Sequence, residues 1–278
     1  MNVRLTGIGD EAALGLADQI AVAGKLGWQA LELRTVDGVA MADLDADALR
    51  GVRDRLREAE LGVACLASRI GSWARPITAP FGQDLAELDA LAEQCELLGT
   101  GYIRIMSYPN DGLDEREWAT RVITRISRLA DRAERAGVTL VHENCAGWAG
   151  SDGERMLRLV TEVDSPALRL LFDTGNGIEY GYDAADLLEQ ILPHVVHVHV
   201  KDGVRTDGGA VYTLPGDGES RVRDCLRRLH TAGYGGWLSL EPHLAVRPHE
   251  GLQADGDSAA LFVSAAQRLH DLTRELLS

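Results

Sequence analysis

The chain is poor in cysteine, in basic charge, in long apolar runs and in linker-like stretches. Its four cysteines, Cys65, Cys95, Cys145 and Cys225, are widely spaced and form no CxxC pair. The opening Met1-Asn2-Val3-Arg4-Leu5 runs into a strand pattern with no signal-peptide core, so the chain is expected in the cytoplasm. In that setting the cysteines read as reduced thiols rather than a disulfide framework. No apolar run approaches the ~18 residues a bilayer-spanning helix needs, so no membrane role is expected. Lys and Arg number 28 against 43 Asp and Glu, a formal charge of −15. That balance argues against nucleic acid as a partner, because phosphate backbones are bound by clustered Lys and Arg. No GxGxxG turn follows the first strand, which weighs against an open doubly wound sheet. There is no Walker-type loop either, which favours an unphosphorylated substrate. No Pro/Gly/Ser linker or shift in composition divides the chain, and residues 1–278 read as one domain.

What is present is an alternation of short apolar runs and longer amphipathic ones. The pattern predicts strands at Val3–Ile8, Ala30–Leu33, Val63–Ala67, Tyr102–Met106, Val138–His142, Leu168–Phe172, Val195–Val200 and Trp237–Leu240. Between and after them it predicts helices at Glu11–Leu26, Leu44–Glu60, Phe81–Leu98, Glu115–Ala136, Gly153–Val163, Ala184–Leu192, Ser220–Ala232 and Asp257–Leu277. Gly27, Gly99, Gly137 and Gly233 stand just past helix ends, where glycine takes the left-handed conformation without penalty. Eight strand–helix units in a chain of this length predict an α/β fold, a (β/α)8 TIM barrel, at roughly 31 residues per unit.

Four of the strand-like runs end in a metal-capable side chain: Glu143, Asp173, His199 and Glu241. A charge at the end of a buried strand is costly unless it pairs or coordinates something. All four fall at the C-terminal ends of strands, where barrel enzymes place their chemistry. Two Glu, one Asp and one His make a mixed oxygen and nitrogen set suited to a divalent cation. Alternation on the seventh strand puts His197, His199 and Lys201 on one face, with His199 nearer the mouth and His197 a layer deeper as a core histidine. His142 faces the opposite side from Glu143, outside the barrel.

The runs His142-Glu143-Asn144, Phe172-Asp173-Thr174-Gly175-Asn176, His197-Val198-His199-Val200-Lys201-Asp202 and Gly233-Tyr234-Gly235-Gly236-Trp237-Leu238-Ser239-Leu240-Glu241 resemble those of the xylose isomerase-like TIM-barrel superfamily, the sugar isomerases and epimerases. Pro215-Gly216-Asp217-Gly218 resembles its glycine-rich turn after strand seven, and Leu26 to Arg34 resembles its second-strand segment. The resemblance implies one divalent cation, Mn2+ or Mg2+ (Co2+ or Zn2+ in some relatives), on Glu143, Asp173, His199 and Glu241. It also implies a small sugar or keto-polyol substrate and a homo-oligomer, a dimer or tetramer. A cation at this site acts as a Lewis acid while a proton leaves the carbon beside a carbonyl. The expected intermediate is a cis-enediolate, with Glu143 and Glu241 as acid and base. The expected activity is therefore isomerisation or epimerisation. The alternative is a lyase with the same carbanion chemistry, on an inosose-like ketone or a keto-glycoside, and the remote alternative is a non-catalytic sugar-binding or partner subunit.

Asn176 departs from the pattern, since ketose 3-epimerases commonly carry His there. Asn donates a hydrogen bond to a substrate oxygen but carries no proton at neutral pH. The superfamily's DNA-repair branch needs further His ligands that the ends of strands two to four lack. Glu32, Arg34, Arg69 and Arg104 are expected at the mouth, either orienting substrate or forming ion pairs around the rim. Lys201 and Arg205 are expected to bind an acid group, and Trp73, Trp148 and Tyr180 to wall the pocket or pack under loops. Cys145 has no evident base, and His243 either reaches substrate or caps its loop.

Overall fold

The computed structural model describes residues 3–244, 246–247, 252–253 and 257–277. Eight strands form the central sheet: β1 (Arg4–Gly7), β2 (Ala30–Leu33), β3 (Gly62–Ala67), β4 (Tyr102–Ser107), β5 (Thr139–Gly147), β6 (Leu168–Asp173), β7 (Val195–Val200) and β8 (Trp237–Leu240). Their order is β1-β8-β7-β6-β5-β4-β3-β2, every pairing is parallel, and a bridge from Ile8 to Glu32 brings β1 beside β2. Sequential strands lying side by side until the first meets the last is the TIM-barrel arrangement, and it rules out the doubly wound alternative.

The outer ring comprises α1 (Leu16–Leu26), α2 (Ala46–Glu58), α3 (Gly82–Leu98), α4 (Glu115–Arg135), α5 (Gly153–Val163), α6 (Ala184–Ile191), α7 (Val222–Thr231) and α8 (Ser258–Leu277). Asp45, Asp114, Asp152 and Asp183 begin α2, α4, α5 and α6, each accepting a hydrogen bond from a backbone N–H of the first turn. Apolar faces of the helices pack on the outward faces of the strands in one continuous core. Inside the barrel a small apolar layer of Cys65, Val141 and Leu171 separates the lower end from the polar mouth.

The predicted strands and helices correspond to observed ones, with local differences that include a short helix at Asn176–Tyr180 and two small antiparallel strand pairs, Thr35–Val36 with Val39–Ala40 and Val246–Arg247 with Leu252–Gln253. The first helix starts at Leu16 rather than Glu11, because Gly9–Glu11 form a 3-10 turn with Asp10 and Glu11 buried toward the mouth. Strand five continues to Gly147, carrying Glu143 and Asn144 inside the strand. The long loop after β7 is an antiparallel hairpin, Asp202–Thr206 with Gly209–Thr213. All four cysteines are free thiols. Among the described residues no helix is long and apolar enough to cross a membrane.

Candidate metal centre

Glu143, Asp173, His199 and Glu241 come from β5, β6, β7 and the end of β8, four consecutive strands of the ring. All are buried, and one ligand atom of each lies within 4.8 Å of those of the others. His199 Nδ1 stands 3.4 Å from Glu241 Oε2, 3.7 Å from Glu143 Oε1 and 4.0 Å from Asp173 Oδ2. Ligands about 2.1 Å from a shared octahedral cation stand about 3.0 to 4.2 Å apart, so this spacing fits a small divalent ion.

Each ligand is aimed by its neighbours. Asp173 Oδ1 accepts the backbone N–H groups of Gly175 and Asn176, both at 2.7 Å, which leaves Oδ2 with no hydrogen bond. Asn144 ties β5 to β6, its amide donating to Asp173 O and its carbonyl accepting from Asp173 N. Glu143 and Glu241 each divide their oxygens: one faces His199, the other accepts from an arginine. Arg104 donates to Glu143 Oε2 at 3.2 Å and Arg34 to Glu241 Oε1 at 2.9 Å. Asn176 Nδ2 donates to Glu143 Oε1, so this residue orients a ligand.

Beneath them, Glu32 accepts from His197 Nε2 at 2.8 Å, His199 Nε2 at 3.0 Å and Ser239 Oγ at 2.7 Å. A carboxylate only accepts, so Nε2 of His199 carries the proton and Nδ1, which makes no hydrogen bond, presents its lone pair to the ligand cluster. At the mouth and in the layer just beneath it, six buried carboxylates, Asp10, Glu11, Glu32, Glu143, Asp173 and Glu241, stand with three buried cations, Arg34, Arg104 and Lys201. A divalent cation would offset most of that surplus. Asp173 Oδ2 and His199 Nδ1, which make no hydrogen bond although Lys201 Nζ lies 3.2 Å from the first and Glu241 Oε2 3.4 Å from the second, fit a resident metal, as does the charge balance.

The electrostatics follow the same contacts. Burial pushes the Glu143 carboxyl up, but Arg104 and His199 outweigh it and hold its pKa at about 2. Burial likewise opposes ionisation of Glu241, and Lys201 and the neighbouring histidines hold its pKa well below the usual carboxylate range. For Asp173 burial wins over Lys201, and the pKa rises to about 6. Burial disfavours an imidazolium at His199, whereas Glu32, Glu143 and Glu241 raise its pKa well above the ordinary value. Positive charge is favoured at that ring, and a cation held at Nδ1 would supply it in place of a proton.

Several expected site residues stand elsewhere. Glu32 does not face substrate: it is fully buried under His199, a layer below the mouth, because Arg34 is the side chain one step higher on the same face. Arg205 lies on the exposed hairpin, where its guanidinium donates to Glu179 O, away from the ligands. Lys201 is at the site but already committed, its Nζ 2.8 Å from Glu241 Oε2 and 3.2 Å from Asp173 Oδ2. Arg104 and Asn176 line the cavity with Glu143 and Glu241. Trp148 is buried and donates to Glu115, whereas Trp73 and Tyr180 line the cavity. His197 is the core histidine expected. His142 packs between barrel and helices with neither ring nitrogen hydrogen-bonded, and burial pushes its pKa down to about 4.

Sequence reasoning gave no site role to Asp10 and Glu11. Asp10 takes the Arg34 guanidinium through both oxygens, and Glu11 accepts from the backbone N–H and Nδ1 of His243. Burial raises the Glu11 pKa to about 7. The polar Gly9-Asp10-Glu11 run directly after an apolar strand was the available signal.

A parallel eight-stranded barrel with acidic and histidine ligands at the C-terminal mouth defines a class of metal-centred α/β barrels. The family model of the xylose isomerase-like TIM barrel matches residues 20–260, and the chain belongs to that family. It is 31% identical over 142 residues to an inosose dehydratase of Geobacillus thermodenitrificans, covering 46% of this chain and 47% of that protein. It is 33% identical over 143 residues to the 2-epi-5-epi-valiolone 7-phosphate 2-epimerase of an Actinoplanes species, covering 51% and 50%. These alignments span about half the length of the curated relatives the chain matches. A D-allulose 3-epimerase structure from Methylomonas sp. superimposes with a TM-score of 0.76 at 18% identity, covering 98% of each chain, which shows the shared fold.

Proposed function

We propose that the chain is a divalent-metal-dependent isomerase or epimerase acting on a small polyhydroxylated ketone, a ketose or keto-cyclitol. The observation that carries this reading is the pair of glutamates at the two ends of the ligand arc, each with one oxygen on the His199 side and the other on an arginine. Glu143, Asp173, His199 and Glu241 would hold the cation. When bound, it supplies Lewis-acid polarisation of a substrate carbonyl. The oxygen-rich donor set favours Mn2+ or Mg2+ over softer ions.

Glu143 and Glu241 are then the groups that exchange a proton with the carbon beside the carbonyl, one removing it and the other returning it. Return to the same carbon inverts it, and return to the neighbouring carbon interconverts aldose and ketose. Arg104 and Asn176 fix Glu143, while Arg34 and Lys201 fix Glu241, so neither carboxylate must reorient during transfer. The similarity to inosose dehydratase favours a second reading, a lyase in which the same carbanion expels a leaving group on the next carbon.

The test is solvent deuterium uptake by NMR, with Mn2+-loaded and chelator-treated protein and a panel of ketoses, hydroxypyruvate and keto-inositols. The expected result is metal-dependent loss of the proton beside the carbonyl, with the product separating isomerase from lyase. Glu143→Gln and Glu241→Gln should each lower exchange by at least about a hundredfold. Absence of exchange with every ketone, at one metal per chain, would overturn the proposal.

A further inference from the structure

The cavity above the metal centre encloses about 590 Å³. A free hexose or keto-inositol has twelve heavy atoms. Granting each the ~30 Å³ that one water takes in the liquid, an overestimate for bonded atoms, such a substrate fills at most about 360 Å³. At least a third of the space is left over. The surplus lies to one side, because the ligand strands β5 to β8 supply the charged end and the segments after β2, β3 and β4 supply the other.

That second end is lined by Ala40, Ala42, Ala67, Trp73, Ala74 and Met106, together with Ser68, Ser72 and the ion-paired Arg69 and Glu87. Trp73 is 50% exposed, in the loop after β3, and Tyr180, 41% exposed, lines the same cavity from the end of the short helix Asn176–Tyr180 that follows β6. Two half-exposed aromatic side chains lining one cavity are surfaces that a ligand can cover. The described cations on the cavity wall are already paired: Arg34 with Asp10 and Glu241, Arg69 with Asp43 and Glu87, Arg104 with Glu143, and Lys201 with Asp173 and Glu241. A phosphate or carboxylate entering the cavity must compete with a carboxylate already paired to each of them, although Arg104 Nε itself makes no hydrogen bond.

Resting on the function proposed above, we infer that the substrate is an uncharged keto-sugar carrying an apolar substituent, aryl or alkyl. The sugar occupies the charged end, and the substituent occupies the subsite formed by Trp73, Met106 and the alanines after β2 and β3. This subsite selects among ketones that share the same reacting group.

Isothermal titration of Mg2+-loaded protein with phenyl β-D-glucoside, methyl β-D-glucoside and glucose 6-phosphate tests the subsite without any turnover. The phenyl glucoside should bind at least about tenfold more tightly than the methyl glucoside, as burial of one aromatic ring implies. Glucose 6-phosphate should bind no better than the methyl glucoside. Trp73→Ala should shrink the phenyl preference to within about threefold and leave methyl glucoside binding unchanged. Ala42→Trp, which fills the subsite from the other wall, should do the same. Equal affinities for the two glucosides, no binding of either, tighter binding of the phosphate, or a phenyl preference that survives both substitutions overturns the inference. The deuterium experiment fails separately. Exchange with free ketoses but no phenyl preference retains the enzyme and removes the subsite, whereas a Trp73-dependent phenyl preference without exchange does the reverse.

Discussion

Glu32 accepts hydrogen bonds from two histidines and a serine and touches no solvent. Its effect on the site passes entirely through the His199 ring, whose tautomer and orientation it sets. Glu32→Gln replaces one accepting oxygen with an NH2 and removes the carboxylate charge, so the three donors that Glu32 serves are left with a single neutral acceptor. The Mn2+ affinity should fall about ten- to a hundredfold in calorimetric titration, with the circular dichroism spectrum retained. An unchanged affinity would remove Glu32 from the metal centre. Arg205→Ala, by contrast, should leave deuterium exchange within about twofold, because its guanidinium serves a backbone carbonyl on the rim. Both residues show where sequence reading stops. Alternation separated His199 from His197 because the two lie on one strand. The same step separates Arg34 from Glu32, yet which of them faces His199 depends on the stagger between β2 and β7 across the barrel, and no local pattern encodes that stagger. The clustering of Glu143, Asp173, His199 and Glu241 was legible because a charge that ends a buried apolar strand must pair or coordinate to offset its desolvation.

The connection from β7 to α7 is the element whose structure was least visible in the sequence. Its hairpin strands are short and mixed in composition, with a glycine in each, so their β character comes from pairing with each other rather than from a long alternating apolar face. The barrel units, each an apolar run followed by an amphipathic helix with a glycine or Asp cap, carried their own boundaries. The Pro215-Gly216-Asp217-Gly218 turn was recognisable as a motif, but its purpose depends on Asp202. That buried carboxylate accepts backbone N–H groups from Gly203, Gly216, Gly218 and Ser220, pinning the turn to the base of the hairpin. Gly218 allows this approach, since a Cβ there would sit 2.4 Å from Asp202 Oδ1 and 2.5 Å from Gly203 O. Asp202→Ala strands four donors and should cost about 3 kcal/mol in urea denaturation. A loss below about 1 kcal/mol would mean that solvent or other groups satisfy the turn and that Asp202 does not organise it.

At the scale of the whole molecule, the charge of −15 and the buried surplus of carboxylates at the mouth act in the same direction. Both oppose the compact state, and the second does so from inside, where solvent screens poorly. The barrel therefore tolerates its ligand cluster most easily with a cation in place, and metal should stabilise the fold as well as serve the chemistry. Binding to the native state at a hundred times Kd adds about 2.7 kcal/mol. At about 2–4 °C per kcal/mol for domains approaching this size, Mn2+ or Mg2+ should raise Tm by roughly 5–10 °C over chelator-treated protein. Two controls separate a site effect from general screening of a negative surface. NaCl at matched ionic strength should give only a small part of the shift, because exposed charges are what salt screens best. Asp173→Asn, which removes a ligand charge while keeping the bonds that Oδ1 accepts, should abolish the metal-specific part. A Tm that responds equally to NaCl and to Mg2+, or a shift that survives in Asp173→Asn, would place the stabilisation on the surface and leave the mouth without a resident cation.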